Sequence, residues 1–271
     1  MAVTMRTRLA AMSMGCLLAP FGALGQNDLD CVIEASEIAD VSSSVLNGIL
    51  EKVLVDRGDV VKQGQVVAQL EASVEQASVA LARAQAESTT SIGAHEARVE
   101  LARKELQRVR ELASTQSVAA RLVDEAETDL VIEQLALDQA HEDKRIAALE
   151  LERAKANLEL RTIRSPISGV VVRVHSSASE TVEDQPIMQI ARIDPLYVEA
   201  IAPVERLGAI HEGMVLQVHP EEPIGGQLTA KVSLVERVID ASSGTFGLRL
   251  ELPNPEGKIP AGLRCRLVFP Q

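Results

Sequence analysis

Aromatic residues are nearly absent from this sequence. Its 271 residues include no Trp, one Tyr and three Phe, so the stacking platforms that usually bind bases and sugars are missing. Basic residues are in the minority, with 27 Lys and Arg against 39 Asp and Glu and a formal net charge of -12. A phosphate backbone requires a basic surface, so nucleic acid is not a predicted partner.

Motifs for catalysis and metal binding are missing as well. The sequence has no G-x-S-x-G nucleophile motif, no phosphate-binding glycine loop and no dinucleotide fingerprint. The histidines share no ligand spacing with each other or with a cysteine pair; they are His95, His141, His175, His211 and His219. We therefore expect no enzymatic activity, no metal and no cofactor.

Only one long apolar run is present, and it lies at the N-terminus. Arg6 and Arg8 precede apolar residues 9–24, and a small residue follows at Gly25. This order predicts a cleavable secretory signal peptide over residues 1–25 and hence an exported chain. The alternatives are an uncleaved membrane anchor, which needs about 20 apolar residues, and lipid attachment at Cys16.

Cysteine is scarce, and two residues remain after the signal, Cys31 and Cys265. In an oxidising compartment this pair favours a disulfide, and the alternative is two buried thiols. The segment from Cys31 to Glu34 is predicted to form a strand beside "LRCRLVFP", which would bring the two cysteines together.

Residues 72–160 contain no proline and are rich in strong helix formers. Heptad spacing gives one seam at Ile92, His95, Val99, Ala102, Leu106 and Val109. A second seam follows with Val123, Ala126, Leu130, Leu137, Ala140, Ala147, Leu151, Ala154 and Leu158, and with Glu133 and Lys144 as polar exceptions. The polar stretch 113–117 separates the seams, so we predict an antiparallel coiled-coil hairpin with its tip at about 113–119. The alternative is one continuous helix that dimerises.

An internal repeat flanks this helical region. Aligning Gly48 with Gly169 without gaps matches Leu50 with Val171 and Asp59 with Glu180. Two such halves predict one split β-sandwich of the lipoyl type, formed by residues 42–71 and 161–192 with the hairpin inserted between them.

The remaining residues, 193–271, read as short β-runs separated by Gly, Ser, Pro and Asn corners. Such a pattern predicts a small antiparallel β-barrel, which residues 26–41 would join as an N-terminal strand. The fold class is therefore α+β, mainly β, with a long inserted helical hairpin.

Several stretches in this order resemble the periplasmic adaptor subunits, or hemolysin-D-like membrane fusion proteins, of tripartite efflux and secretion systems. They are "GILEKVLVDRGDVVKQGQVVAQLE", "LRTIRSPISGVVV", "VIDASSGTFGLRLELPNP" and "IPAGLRCRL". The resemblance implies a periplasmic subunit that forms a ring, a hexamer in the family, and links an inner-membrane transporter to an outer-membrane channel. An RND-type transporter is favoured, and an ABC-type exporter or a type I secretion system is the alternative.

The resemblance also assigns roles to individual residues. At the hairpin tip, Arg108 and Leu112 fit the family's channel-docking pattern, and Ala119 replaces the small residue that is often Ser. Ser179 stands where the second half-motif usually has Gly. Two other classes stay open: a biotinyl or lipoyl carrier protein, which needs a displayed lysine, and a structural coiled-coil protein.

Overall fold

The computed structural model describes residues 28–115 and 119–269. The predicted signal peptide, residues 1–25, and the middle of the predicted tip, residues 116–118, lie outside the described residues. The chain forms two compact units. One contains residues 198–250 with the chain up to residue 32 and from residue 263, and the other contains residues 33–197 and 251–262. The domain boundaries given above stay predictions.

Eleven strands, three α-helices and a short 3-10 helix make up the described part of the chain. The strands are β1 (Asp28–Val41), β2 (Leu50–Val53), β3 (Val60–Val61), β4 (Val66–Leu70), β5 (Thr162–Arg164), β6 (Gly169–Val174), β7 (Met188–Pro203), β8 (Val215–Pro220), β9 (Leu228–Val235), β10 (Thr245–Leu252) and β11 (Leu263–Val268). The helices are α1 (Ser73–Glu87), α2 (Thr90–Ser114), α3 (Ala120–Glu159) and the 3-10 helix Val204–Arg206.

The predicted β-barrel is confirmed. Six strands are paired in the order β1-β11-β8-β9-β10-β7, and β1 also pairs with β7, which closes the series. On β10 the side chains of Phe246, Leu248 and Leu250 are buried and alternate with more exposed neighbours. This period of two is what a strand with one face toward a core requires.

The split sandwich is also confirmed, and its halves are structurally equivalent. Val60 pairs with Val170 across the halves, and the equivalent pair in the repeat is Ile49 with Thr181. The hydrogen bonds repeat too: the Leu50 amide donates to the Glu180 carbonyl at 2.8 Å, and the Val171 amide donates to the Asp59 carbonyl at 2.9 Å. A shared core of Val, Leu, Ile and Met from both halves lies between them.

The hairpin leaves this sandwich after β4 and returns at β5, which pairs with β4. Burial follows the predicted seam. On α2 the positions that are not exposed are Ile92, His95, Val99, Ala102, Leu106, Val109 and Ala113. On α3 they are Val123, Ala126, Leu130, Glu133, Ala136, Leu137, Ala140, Lys144, Ala147, Leu151, Ala154 and Leu158. Only Ala113 and Ala136 are additional to the predicted positions, so the heptad interpretation holds for both helices.

One feature of the hairpin differs from the sequence prediction. The arm before the tip is not a single helix, because it is interrupted between α1 and α2 at Ser88 and Thr89. The run Ser88-Thr89-Thr90-Ser91 contains residues with low helix propensity. No helix in the described part of the chain is both long and apolar enough to cross a bilayer.

Candidate docking site at the hairpin tip

Arg108 lies on α2 near the tip, and its side chain is 65% exposed. Its guanidinium forms an ion pair with Glu105 on the same helix, with Nη1 and Oε2 2.6 Å apart. An exposed pair at this spacing contributes little to stability. Arg108 is therefore available for a partner at small energetic cost to the hairpin.

Arg110 is held differently, although it lies only two residues away. Its Nη2 contacts Oε1 of Glu127 on α3 at 2.6 Å, so this ion pair crosses from one arm to the other. Beside it, an open groove of about 550 Å³ includes Leu106 and Leu130 from the two arms. The arms are thus joined just below the tip by Arg110, while Arg108 faces solvent.

Leu112 and Ala119 complete the set of residues assigned to the tip. Leu112 lies off the seam and is 44% exposed, as is Leu122 at 39% on the other arm. Ala119 is exposed and is the N-cap residue of α3, with φ -75° and ψ 145° and no side-chain cap. A Ser at this position would supply the capping oxygen that Ala lacks.

The root of the hairpin has an ion pair that the sequence did not reveal. Oε1 of Glu75, in the first turn of α1, is 2.5 Å from Nη2 of Arg161, just after α3. These side chains are only 17% and 23% exposed. The Arg161 carbonyl also accepts the Leu70 amide at 2.8 Å. Both arms are thereby attached to the end of β4.

The start of α1 is further stabilised by Glu71. Its carboxylate accepts the Ser73 amide at 2.9 Å. Hydrogen bonds from the Ser73 side chain and backbone lower the pKa of Glu71 below its usual value. A negative charge is favourable at this position because the N-terminus of a helix carries partial positive charge.

A carrier domain would display its lysine where β4 ends, but Glu71 and Ala72 stand there and α1 follows. Lys62 is exposed and lies earlier, in the turn between β3 and β4. The backbone at this place continues into the hairpin instead of a short lysine-bearing turn.

Cys31 on β1 and Cys265 on β11 are joined as a disulfide in the structure, with their Cα atoms 4.9 Å apart. The two residues are 4% and 3% exposed. The bond connects the first and last strands of the barrel across a sequence separation of 234.

Among residues 28–115 and 119–269, no group of three or more His, Cys, Asp or Glu side chains could hold a metal ion. His95 Nδ1 and Glu133 Oε2 are buried on the seam with no hydrogen-bond partner in the described part of the chain. Polar groups on a coiled-coil seam reduce stability and can specify register.

Asn254 is a structural residue that sequence reasoning missed. Its position between Pro253 and Pro255 is typical of an exposed turn, but its side chain is only 3% exposed. Its side-chain amide donates to the carbonyls of Ile193 and Ile259, and its oxygen accepts the Ile259 amide. The bracketing prolines marked a turn and gave no signal for this buried network.

Comparison with known proteins supports the same architecture. Residues 40–191 match the family model described as YknX, barrel-sandwich hybrid domain. The crystal structure of MacA from Actinobacillus actinomycetemcomitans has a TM-score of 0.74 and 20% sequence identity, and the match covers 89% of this chain and 77% of MacA. This likeness shows the fold.

Two curated relatives match over most of the chain. Multidrug resistance protein MdtE of Escherichia coli K12 is 25% identical over 242 residues, which are 84% of this chain and 59% of MdtE. The pyoverdine export membrane fusion protein PvdR of Pseudomonas aeruginosa is 26% identical over 227 residues, with coverage of 82% and 56%. The chain thus spans less than two thirds of the length of these relatives. The resemblance to membrane fusion proteins is confirmed.

Proposed function

Because the chain belongs to the YknX barrel-sandwich hybrid family, we propose that it is a periplasmic adaptor for efflux of small molecules, linking an inner-membrane transporter to an outer-membrane channel. As an adaptor it has no reaction to catalyse. The observation that carries the proposal is the hairpin, whose α3 of 40 residues extends about 60 Å from the sandwich. Its exposed side chains near the tip and its joined root suit a long arm that reaches a distant partner.

The channel docks at the tip through Arg108 and Leu112. Within the described part of the chain, the Arg108 guanidinium pairs with an exposed neighbour on its own helix, so a carboxylate or carbonyl on the channel can replace that contact. Leu112 adds exposed apolar surface one turn further. Ala119 allows close approach because its side chain is small.

Arg108→Asp tests this docking. The variant should fold normally and should abolish export in cells that depend on this pump. Arg103→Asp is the matched control, since Arg103 is 60% exposed and has the same kind of i,i+3 pair with Glu100. Equal export by both variants, with equal expression and melting temperature, would contradict the docking assignment.

The transporter that we propose is of the RND type, and an ABC-type exporter or type I secretion system is the second candidate. Co-purification of the full chain from its native membrane, followed by mass spectrometry, tests the choice. Recovery of an RND subunit supports the first candidate, and recovery of an ATPase subunit replaces it with the second. Recovery of neither, in the presence of the channel, would contradict the linking role.

Avidity in such an assembly requires several copies in a ring, and the outer faces of the hairpin support this proposal. On α3 five large apolar residues lie off the seam and are 49% to 63% exposed, namely Val131, Ile132, Leu135, Ile146 and Leu149. On α2, away from the tip residue Leu112, Leu101 is 67% exposed. Leu106 and Leu130 line one groove, so they lie at the same level along the hairpin. Leu101 and Leu135 each lie five residues nearer the root and are therefore also at the same level.

Two parallel copies side by side would therefore place Leu135 of one against Leu101 of the next. This contact is heterologous, and it closes into a ring if the rotation between copies allows. Mixed single variants Leu101→Cys and Leu135→Cys should cross-link under mild oxidation. The control pair Leu101→Cys and Leu149→Cys should not, because Leu149 lies about 21 Å further along α3. Cross-linking of both pairs alike would contradict the proposed alignment.

The lipoyl or biotinyl carrier class makes a different prediction. Intact-mass measurement of the mature protein should show the unmodified polypeptide. A mass increment equal to a lipoyl or biotinyl group would return the carrier function to consideration.

A further inference from the structure

The first arm of the hairpin contains a break whose position follows from the seam. α1 ends at Glu87, and Ser88 is extended, with φ -64° and ψ 130°. Thr89 has φ -118° and ψ 3°, and α2 begins at Thr90. The five side chains from Glu87 to Ser91 are all exposed. No side chain in this stretch therefore contributes to the packing between the arms.

The seams on either side of the break are one residue out of phase. On α1 the positions that are not exposed are Glu75, Val79, Ala82 and Ala86, and on α2 they resume at Ile92. On α3 every second seam position lies seven residues further along the helix, for example Lys144 and Leu151. From Ala86 to Ile92 the first arm has only six.

A continuous helix could not satisfy both seams. Each residue turns an α-helix by about 100°, so an uninterrupted helix would rotate Ile92 by roughly that angle away from α3. The break keeps Ile92 on the seam. It also restores length: an extended residue rises about 3.3 Å and a helical one about 1.5 Å, so six residues with one extended span roughly as far as seven helical residues.

We propose that Ser88 and Thr89 form a permanent bending joint in the hairpin. The spacing from Ala86 to Ile92 is one residue shorter than the seam requires. This prevents α1 and α2 from forming one continuous helix, because a continuous helix would lose the packing of α2 against α3. The helical hydrogen-bond ladder of the first arm is interrupted here: the Ser88 amide donates to the Gln85 carbonyl at 3.3 Å, and the ladder resumes where the Gly93 amide donates to the Thr89 carbonyl at 3.0 Å. At the junction α3 alone therefore carries bending stiffness. A long helix such as α3 can bend to a small extent, because long helices in proteins curve gently.

The geometry limits the movement. The rise of one residue varies by about 1.8 Å between extended and helical backbone, and packed helix axes lie about 9 Å apart, so the tilt is on the order of 10°. Over the roughly 38 Å of the 25-residue α2 this tilt displaces the tip by about 7 Å. The joint thus lets the tip move sideways while the Glu75–Arg161 ion pair holds the root.

Two variants show whether the break between α1 and α2 is caused by the six-residue seam spacing or by low helix propensity. Inserting one Ala between Ser88 and Thr89 restores the seven-residue spacing. The double substitution Ser88→Ala and Thr89→Ala raises helix propensity but keeps six. Spin labels at Lys52→Cys on the sandwich and Lys104→Cys on α2, both exposed sites, report tilt by double electron–electron resonance. Amide hydrogen exchange of residues 87–91 reports helix continuity.

In the insertion variant the distance distribution should narrow, and exchange should slow by about tenfold or more. In the double substitution the width of the distance distribution and the exchange rate of residues 87–91 should stay close to the values of the parent protein. If the substitution alone slows exchange and narrows the distribution, propensity causes the break and the proposal is wrong. It is also wrong if the insertion slows exchange but leaves the distribution unchanged. If the insertion fails to fold, the substitution alone decides. None of these readouts depends on the channel or transporter.

Discussion

Gly58 and Ser179 occupy equivalent turns in the two halves of the sandwich, and both have positive φ, 96° and 72° respectively. The Gly58 amide donates to the Val171 carbonyl at 2.8 Å, and the Ser179 amide donates to the Leu50 carbonyl at 2.7 Å. The turn of Ser179 does therefore demand the left-handed conformation. Only Gly58 lacks the Cβ that makes this conformation unfavourable.

Ser179→Gly should consequently stabilise the protein, by roughly 0.5 to 1 kcal/mol. The reciprocal change, Gly58→Ser, should destabilise it by a similar amount because it introduces the same strain in the other half. Chemical denaturation of the two variants beside the parent protein measures both. Destabilisation by Ser179→Gly would show that the Ser hydroxyl contributes more than the strain costs.

Gly169→Ala should lower the free energy of unfolding by about 2 to 3 kcal/mol, or prevent folding. A Cβ at Gly169 would overlap the backbone carbonyl of Ala191 on the paired strand β7, and backbone cannot move aside as a flexible side chain could. Gly93→Ala is the control, since nothing lies within 4 Å of its Cβ. It should be neutral or stabilise by up to about 1 kcal/mol, and an equal loss in both variants would contradict the overlap.

Replacing both cysteines, Cys31→Ser with Cys265→Ser, should cost about 2 to 5 kcal/mol of stability. The bond closes a loop of most of the chain, so the unfolded state gains much freedom when it is absent. Thermal unfolding of the exported protein measures the loss. Alkylation under denaturing but non-reducing conditions supplies the independent check: labelling of both thiols in the parent protein would mean that no bond forms.

Ala119→Ser should stabilise α3 by about 1 kcal/mol, because a Ser oxygen at the N-cap accepts a hydrogen bond from a backbone amide of the first turn, which an Ala side chain cannot do. Ala120→Ser is the control at the first residue within the helix, where Ser gains no capping bond. Hydrogen exchange of the first turn of α3, together with thermal unfolding, distinguishes them. Equal behaviour of the two variants would argue against a capping role at position 119.

The architecture could be predicted from the sequence where side-chain patterns repeat. The heptad spacing identified nearly every buried position of α2 and α3, and the repeat from Gly48 and Gly169 identified the halves of the sandwich. Both patterns arise because one face of an element must be apolar wherever it is buried.

Features that depend on a single partner far along the chain were not predictable. Glu75 and Arg161 are ordinary helix charges in sequence, and only the return of the chain to β5 brings them together. Asn254 looked like a turn residue, because its hydrogen-bond partners on β7 are about sixty residues away. The break at Ser88 does not follow from the seam of α2 alone, because the phase difference exists only relative to the seam of α1.

The pairing of β4 with β5 has a consequence for how the chain folds. These strands are separated by about ninety residues, and closing so long a loop is entropically costly and slow. Because local contacts form first, we expect the hairpin between them to form from contacts near its own tip, with each added turn shortening the remaining gap. When the two arms are packed together down to the root, β4 and β5 lie next to each other and can pair. Substitutions on the seam near the tip should therefore slow the folding of the sandwich, although these residues lie on the helices and not in its strands.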